Sequence, residues 1–299
     1  MLKVEHVTKY YDDFRAVNDI SFEIKEGEIF GLLGVNGAGK TTTFRMIMGL
    51  LDKTEGEITL DGKPIDYSVT DKIGFLTEER SLLPSKTVLE QAIYYGVLKG
   101  LTPREVEKRL DDYLKEFNIE EYKNKKIKEL SKGNQQKIQF IISVLHRPKL
   151  LILDEPFSGL DPINVEMFKK VILRLKKEKT IIIFSSHMME HVEYFCDSLI
   201  ILVKGNAVLS GKLSQIKEDY RRKNIKVIAD LDEDEIKKTK GVVSLEKNKD
   251  EYTIRVEDIS IVSSVFKKLS KCNNVTKFVV EEPTLHEIFI DKVGEAYDE

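Results

Sequence analysis

The chain has 299 residues, of which 41% are hydrophobic and 33% charged, so we expect a soluble globular protein with room for two domains. The net charge of −3 provides no general basic field that would attract nucleic acid. Cys196 and Cys272 form no pattern with other ligands, which predicts reduced, buried thiols. The charged start MLKVEHVTKYY is not typical of a secretory signal, and apolar runs such as residues 199–203 are too short to span a bilayer.

Short strands and a glycine-rich turn open the chain. We predict strands at 2–8, 20–24, 28–33 and 72–77, a helix at 41–48, and a hairpin closed by Asp61-Gly62. From about residue 87 to 142 the apolar spacing becomes helical. Buried strands return at 150–153, 180–184 and 199–203, separated by helices at 162–177 and 188–196. This alternation predicts an α/β fold with a mostly parallel sheet, an antiparallel β part and a helical insertion.

The pattern changes after about Gly211. A charged helix at 214–223 is followed by a β-α-β-β-α-β order, which indicates a small ferredoxin-like α+β domain without obvious catalytic groups. We therefore predict a nucleotide-binding domain at 1–213, with a helical subdomain at about 85–145, and an accessory domain at 214–299.

The segment from Gly34 to Thr41 satisfies the pattern G-x-x-x-x-G-K-[ST] between a predicted strand and a helix. Glycines let backbone amides surround phosphates, Lys40 can reach the β- and γ-phosphates, and Thr41 offers a hydroxyl to Mg²⁺. The predicted nucleotide-binding residues of this loop are Gly34, Asn36, Gly37, Ala38, Gly39, Lys40, Thr41 and Thr42.

Two carboxylates, Asp154 and Glu155, end the buried strand that begins at Leu150. The carboxyl ends of parallel strands face the ligand crevice, so we expect Asp154 to hold Mg²⁺ and Glu155 to act as general base on the attacking water. A strand-end acid that only caps the next turn is the ordinary structural alternative. The phosphate loop upstream favours the catalytic interpretation.

The turn Leu130-Ser-Lys-Gly-Asn134 precedes a predicted helix that runs to about Val144. Ser131 is a good N-cap and Gly133 allows a phosphate close to the backbone, although a plain capped helix start is the alternative. Asp161 and Pro162 suit the N-cap and first position of a further helix, next to the Ser158–Asp161 loop.

Three further candidates depend more on context. His187 follows the apolar strand at 181–184, where a γ-phosphate contact is reasonable, although a lone histidine is more often structural. Tyr11 could stack on adenine or be an ordinary strand-end tyrosine. Glu78 follows a strand and could lie near the metal and the attacking water, or be a solvated loop acid.

Taken together, residues 2–211 resemble the nucleotide-binding subunits of ATP-binding cassette (ABC) transporters. In that family a phosphate loop, a Leu-Ser-Gly-Gly-Gln signature, an Asp-Glu pair, a Ser-Gly-Leu-Asp loop and a switch histidine occur in this order. The counterparts here are Gly34–Thr42, Leu130–Asn134, Asp154-Glu155, Ser158–Asp161 and His187. Tyr11 falls where the family stacks an aromatic residue on adenine.

Two departures from the family pattern stand out. The signature reads Leu-Ser-Lys-Gly-Asn, and Glu78 occupies the loop that usually carries glutamine. With the Glu-Glu-Arg80 sequence and the tail at 282–290, these variants look like the bacterial subgroup related to sodium and drug exporters.

The resemblance implies an ATPase with ATP and Mg²⁺, peripheral on the cytoplasmic side of the membrane. Its expected partners are a membrane permease and a second ATP-binding subunit, identical or different, whose Ser131 and Gly133 cap the bound ATP. A soluble ABC ATPase acting on ribosomes or nucleic acid is the alternative, but one cassette without long heptads argues against it. A nucleotide-sensing regulator is a third class, disfavoured by the intact Glu155 and His187.

Overall fold

Runs of buried aliphatic residues form the centre of the larger of two units into which the chain divides. The structure is a computed structural model that describes residues 1–79 and 81–298. Its units are Met1–Gly211 and Lys212–Glu299. Arg80, the last residue of the predicted Glu-Glu-Arg sequence, lies outside the described residues.

The larger unit is built on a ten-stranded sheet with the order β5-β4-β1-β2-β10-β9-β3-β8-β7-β6. Five of its strands, β9-β3-β8-β7-β6, pair in parallel, and β5-β4-β1-β2 pair antiparallel. The predicted α/β class, with its parallel and antiparallel parts, is confirmed. The strands are β1 (Leu2–Tyr11), β2 (Phe14–Ile24), β3 (Ile29–Gly34), β4 (Glu55–Leu60), β5 (Lys63–Pro64), β6 (Ile73–Leu76), β7 (Leu150–Asp154), β8 (Ile181–Ser185), β9 (Ser198–Val203) and β10 (Asn206–Lys212).

Helices follow the parallel strands and form the insertion between β6 and β7. They are α1 (Lys40–Ile47), α2 (Val88–Leu98), α3 (Pro103–Glu116), α4 (Lys132–Val144), α5 (Pro162–Lys177) and α6 (Met189–Phe195). Thr87 and Thr102 are the N-caps of α2 and α3 and form capping boxes. In each, the threonine hydroxyl accepts a hydrogen bond from the backbone amide of the glutamate three residues later, and that carboxylate accepts one from the threonine amide. Asp161 is the N-cap of α5 and Pro162 its first residue, as the sequence predicts.

The first two strands are longer than predicted. They span Leu2–Tyr11 and Phe14–Ile24, whereas the sequence indicates only residues 2–8 and 20–24. Polar residues such as Asn18 and Asp19 interrupt the alternation. Cross-strand pairing nevertheless continues to the tight turn between Tyr11 and Phe14. This turn carries two aromatic rings to the edge of the phosphate loop.

The smaller unit contains a four-stranded antiparallel sheet with the order β12-β13-β11-β14, the ferredoxin-like arrangement that the sequence predicts. Its core consists of buried, mostly aliphatic residues of β11 and β13 packed on α8 and α9. The last helix is longer than predicted, since it continues past residue 292. The elements are α7 (Leu213–Asp219), β11 (Lys223–Asp230), α8 (Glu233–Lys237), β12 (Val242–Asn248), β13 (Glu251–Val256), α9 (Val262–Leu269), β14 (Asn273–Glu281) and α10 (Leu285–Asp298).

Candidate nucleotide site

The turn from β3 into α1 has backbone geometry that only glycine permits. Gly39 has φ +101°, and a Cβ added there would lie 2.6 Å from the carbonyl oxygen of Ala16. A Cβ at Gly34 would lie 2.5 Å from the carbonyl oxygen of Leu202. Gly39 places no side-chain cap on α1, so the first amides of the helix are free to bind an anion.

A pocket of about 290 Å³ opens at this turn. It unites most of the predicted site residues, which are far apart in sequence: Tyr11, Asn36, Gly37, Ala38, Gly39, Lys40, Thr41, Thr42, Glu78, Asp154, Glu155 and His187. Phe14 and Ala16 also line it. Gly34 is not among the lining residues, and neither are Ser131 and Gly133.

The acidic pair lies where β7 ends beside β8. The Ser185 hydroxyl donates a hydrogen bond to Asp154 Oδ1, and the Ser186 hydroxyl donates one to Glu155 Oε2 over 3.3 Å. Glu155 has φ +48°, a backbone conformation that costs energy for a residue other than glycine. His187 Nε2 lies 3.6 Å from Glu155 Oε1, so the predicted base and the predicted switch histidine are neighbours.

Burial shifts the pKa values of the acidic and the basic groups in this pocket in opposite directions. It raises the pKa of the Glu155 carboxyl, against the lowering effect of His187, and it raises the pKa of Asp154, against the hydrogen bond from Ser185. Burial lowers the pKa of Lys40, although Asp154, Glu155 and Glu78 favour its charged form. Lys40 Nζ donates to the carbonyl oxygens of Gly34 (2.7 Å) and Val35 (3.2 Å).

The loop that carries Glu78 is held by a side chain of α4. Gln139 Nε2 donates to the carbonyl oxygen of Thr77 (3.1 Å), to Thr77 Oγ1 (2.9 Å) and to the carbonyl oxygen of Glu79 (3.1 Å). Gln139 is only 4% exposed. Since α4 begins beside Ser131, this one helix connects the Ser131–Gly133 turn to the Glu78 loop.

Ser131 and Gly133 lie apart from the pocket. Ser131 is exposed, and its Oγ accepts a hydrogen bond from the Asn134 amide over 3.3 Å, so it is the N-cap of α4 as predicted. A Cβ added at Gly133 would lie 3.7 Å from Leu160 Cδ2 and 3.8 Å from the carbonyl oxygen of Gly159. The turn therefore adjoins the Ser158–Asp161 loop of its own chain.

Besides Ala16, the sequence alone did not identify four residues around the site: Phe14, Ser185, Ser186 and Gln139. Phe14 was hidden in a polar stretch, and Ser185 and Ser186 resemble any polar strand end. The two serines could have been found from their position at the carboxyl end of β8, next to the end of β7. Gln139 carries no local signal, because its role depends on a hydrogen bond to a loop 60 residues away along the chain.

The donor set fits Mg²⁺ bound together with a nucleotide. Within residues 1–79 and 81–298, no group of three or more His, Cys, Asp or Glu side chains could hold a metal ion by itself. Thr41 and the carboxylates of Asp154 and Glu78 line the pocket, and Mg²⁺ characteristically takes one or two such ligands plus phosphate and water. When bound, the cation neutralises phosphate charge.

The exposed rings of Tyr11 (41%) and Phe14 (66%) provide flat apolar surface at the pocket rim. We expect Tyr11→Ala and Phe14→Ala each to weaken ATP binding up to about tenfold, since ring stacking contributes about 0.5–1.5 kcal/mol. Calorimetric titration of ATP measures this, with Tyr194→Ala, an exposed tyrosine outside the pocket, as control. Unchanged affinity in both variants would contradict a stacking role.

The raised pKa of Glu155 also predicts a pH effect on stability. A carboxyl whose pKa is higher when folded than when unfolded loses stabilising free energy as pH rises through that interval. We expect Glu155→Gln to melt at a higher temperature than the native protein at pH 8, with the gap shrinking as pH falls towards the usual value of 4.5. Thermal unfolding across this range tests it; a pH-independent gap would contradict the burial argument.

This arrangement, with a phosphate loop, strand-end carboxylates and a remote serine-glycine turn, defines a P-loop ATPase of the cassette type. A family model described as ABC transporter matches residues 17–158, and one described as the C-terminal domain of DrrA1-3-like ATP-binding proteins matches residues 211–293.

Similar proteins point the same way. An uncharacterized ABC transporter ATP-binding protein of Bacillus subtilis, YhaQ, is 49% identical over 298 residues, covering 100% of both chains. The linearmycin resistance ATP-binding protein LnrL of the same organism is 37% identical, covering 71% of this chain and 69% of its own. A dimeric structure of a bacterial ABC transporter cassette has a TM-score of 0.65 at 28% identity, covering 71% and 99% of the two chains.

The chain belongs to the ATP-binding subunits of ABC transporters, a family that hydrolyses ATP. The family that the sequence resembles, the predicted fold class and the expected ATPase activity are confirmed. Over the described part of the chain, helices that are both long enough and apolar enough to traverse a bilayer are not found.

Proposed function

We propose that two copies of this chain, or this chain and a similar subunit, enclose two ATP molecules head to tail and drive a membrane permease. The observation that carries the proposal is the separation of Ser131 and Gly133 from the pocket that contains the other predicted site residues. An exposed helix start with a small residue can approach a phosphate only from outside the pocket. The helix start of a second copy can reach the phosphate of an ATP bound in this pocket.

The residues of the pocket have complementary tasks in this proposal. Lys40 and the α1 amides bind the phosphates, while Thr41 and Asp154 hold Mg²⁺, with Glu78 near the cation. Glu155 accepts the proton of the attacking water, and its partial burial and raised pKa suit a general base. His187, 3.6 Å from Glu155 Oε1, contacts the γ-phosphate and orients that carboxylate.

A route for coupling runs through α4. The γ-phosphate on one copy attracts the Ser131 turn of the other, which favours closure, and hydrolysis removes that attraction. Because Gln139 ties α4 to the Glu78 loop, a movement of the helix is transmitted to this loop. Nucleotide state is thereby relayed to the surface beside the helical insertion.

That surface is apolar enough to bind a permease. Leu50 is 64% exposed and lines a pocket of about 240 Å³ together with Tyr95 of α2 and Lys99, the residue that follows this helix. On the same helix, Tyr94 is 55% and Leu98 65% exposed. Clustered exposed apolar side chains of this kind mark interaction sites. We place the protein on the cytoplasmic side of the membrane, bound through this patch.

The cargo we propose is a drug or an ion moved outward. The similarity to the linearmycin resistance protein LnrL supports export of a drug-like molecule, as do the variant signature and Glu78. We further propose that residues 214–299 form an accessory domain with no part in hydrolysis, since the described pocket residues all precede it.

Affinity purification from membranes tests the permease partner. Tagged Glu155→Gln protein with Mg-ATP should recover one polytopic membrane protein in defined stoichiometry. The matched control Glu155→Gln/Leu98→Asp should lose it while still binding ATP, because a charge is buried in the docking patch. Recovery of ribosomes or nucleic-acid machinery, with no membrane protein, would contradict the proposal and favour the soluble-ATPase alternative.

A further inference from the structure

One edge of the sheet in the smaller unit carries exposed valines, and among the residues that the structure describes it has a strand on one side only. β14 is the last strand in the order β12-β13-β11-β14, and its ladder is with β11. Val275 (40% exposed), Val279 (40%) and Val280 (38%) lie along it. A sheet edge with unpaired backbone groups and exposed valines is a template for another strand.

The opposite edge of the same sheet is protected in the usual way. β12 ends with Glu246, Lys247 and Asn248, all exposed, and charges on an edge discourage pairing. On β14 the central charge is Lys277, which forms an ion pair with Glu251 of its own chain. Because the charge of Lys277 is balanced by this ion pair, the β14 edge lacks the protection against strand pairing that charged residues give β12.

We propose that β14 pairs antiparallel with β14 of a second copy, with Val279 opposite Val279 at the two-fold axis. In this register Lys277 faces Glu281 of the partner copy, and Phe278 faces the partner's Val280. Opposite charges and apolar residues in directly opposed positions stabilise antiparallel pairs. No other register centred on a residue of the strand places Lys277 directly opposite Glu281.

Charge complementarity extends beyond the two strands. Within one chain, Glu251 pairs with Lys277, and Lys226 Nζ lies 2.7 Å from Glu281 Oε2. The proposed contact between the two β14 strands, which we call the seam, joins these pairs into an alternating row. The row consists of Glu251 and Lys277 of one copy, then Glu281 and Lys226 of the other. Two-fold symmetry repeats the row. A second copy of this chain is therefore a better occupant than an unrelated strand.

The seam is a supplementary contact. Five opposed residue positions bury far less than the roughly 1,200 Å² typical of stable interfaces, so we expect a weak, exchanging association of isolated chains. Because it needs no nucleotide, it is independent of the proposed ATP-enclosing dimer. It goes beyond the proposed function by giving the accessory domain a role in joining two copies.

A disulfide trap tests the register. Directly opposed antiparallel residues have Cα atoms about 4.5–5.5 Å apart, which suits a disulfide. In nucleotide-free full-length protein carrying Cys272→Ser, we expect Val279→Cys to form an oxidised dimer at least about tenfold faster than Val275→Cys. Val275 is equally exposed, at 40%, but lies away from the axis, so it controls for random collision. Equal rates would overturn the proposal.

Charge reversal gives a second readout. Adding Lys277→Glu to Val279→Cys should slow cross-linking at least about threefold, since it places two carboxylates opposite each other. The further change Glu281→Lys should restore the rate by exchanging the signs. Thermal unfolding verifies that each variant is folded. Cross-linking rates that do not respond to either change would overturn the register. ATPase activity is expected to stay at the native level in all of these variants.

Discussion

Glu155→Gln is expected to lower the rate of ATP hydrolysis by about 10³-fold while ATP affinity changes less than about threefold. General-base catalysis contributes about 10²–10⁴ in rate, and glutamine keeps the shape of the side chain but cannot accept the proton. Steady-state phosphate release and nucleotide titration measure the two quantities separately.

A surface control separates this chemistry from a general effect of lost charge. Glu190→Gln, exposed on α6, removes the same charge outside the pocket and should leave the rate unchanged. If Glu155→Gln retains more than about a tenth of the native rate, a residue other than Glu155 activates the water.

The second large effect is the recovery of ATPase activity when two inactive variants are mixed. Lys40→Ala removes the ammonium group that we propose binds the phosphates, and Ser131→Arg blocks the helix start that we propose caps the partner's ATP. Each alone should lose at least about 100-fold in rate, as loss of electrostatic stabilisation does. Mixed, they form a dimer in which the phosphate loop of one copy meets the intact Ser131 of the other. We expect a large part of one site's activity to return.

The matched control places both changes in one chain. Lys40→Ala/Ser131→Arg mixed with native protein should lower activity, because each mixed dimer then has one defect at each of its two sites. Phosphate release over a series of mixing ratios distinguishes the cases. No recovery from the two single variants would mean that Ser131 acts on the ATP of its own chain.

Local sequence patterns predict much of the fold. Runs of buried aliphatic residues specify the parallel strands β7 and β8, and the glycine-rich turn places α1. The hairpin at Asp61-Gly62 and the Asp161 cap follow from backbone preferences of a few residues, and the structure has both. The order of the strands in the smaller sheet follows from its β-α-β-β-α-β succession.

The remainder depends on contacts between distant segments. The extension of β2 back to Phe14 depends on pairing with β1, so the second pocket ring could not be seen locally. Gln139 acquires its role only when α4 packs beside the Glu78 loop, and the hydrogen bonds from Ser185 and Ser186 depend on β8 lying beside β7. The positive φ of Glu155 has no sequence signature, because glutamate rarely adopts it.

Sedimentation of the Glu155→Gln variant tests the central claim, an ATP-dependent dimer with shared sites. At low micromolar concentration we predict that Mg-ATP shifts the protein from the 34.4 kDa chain to twice that mass, whereas ADP does not. Adding Lys40→Ala should abolish the shift, since the phosphates are no longer held. A Glu155→Gln protein that binds ATP yet stays at the mass of one chain would contradict the account.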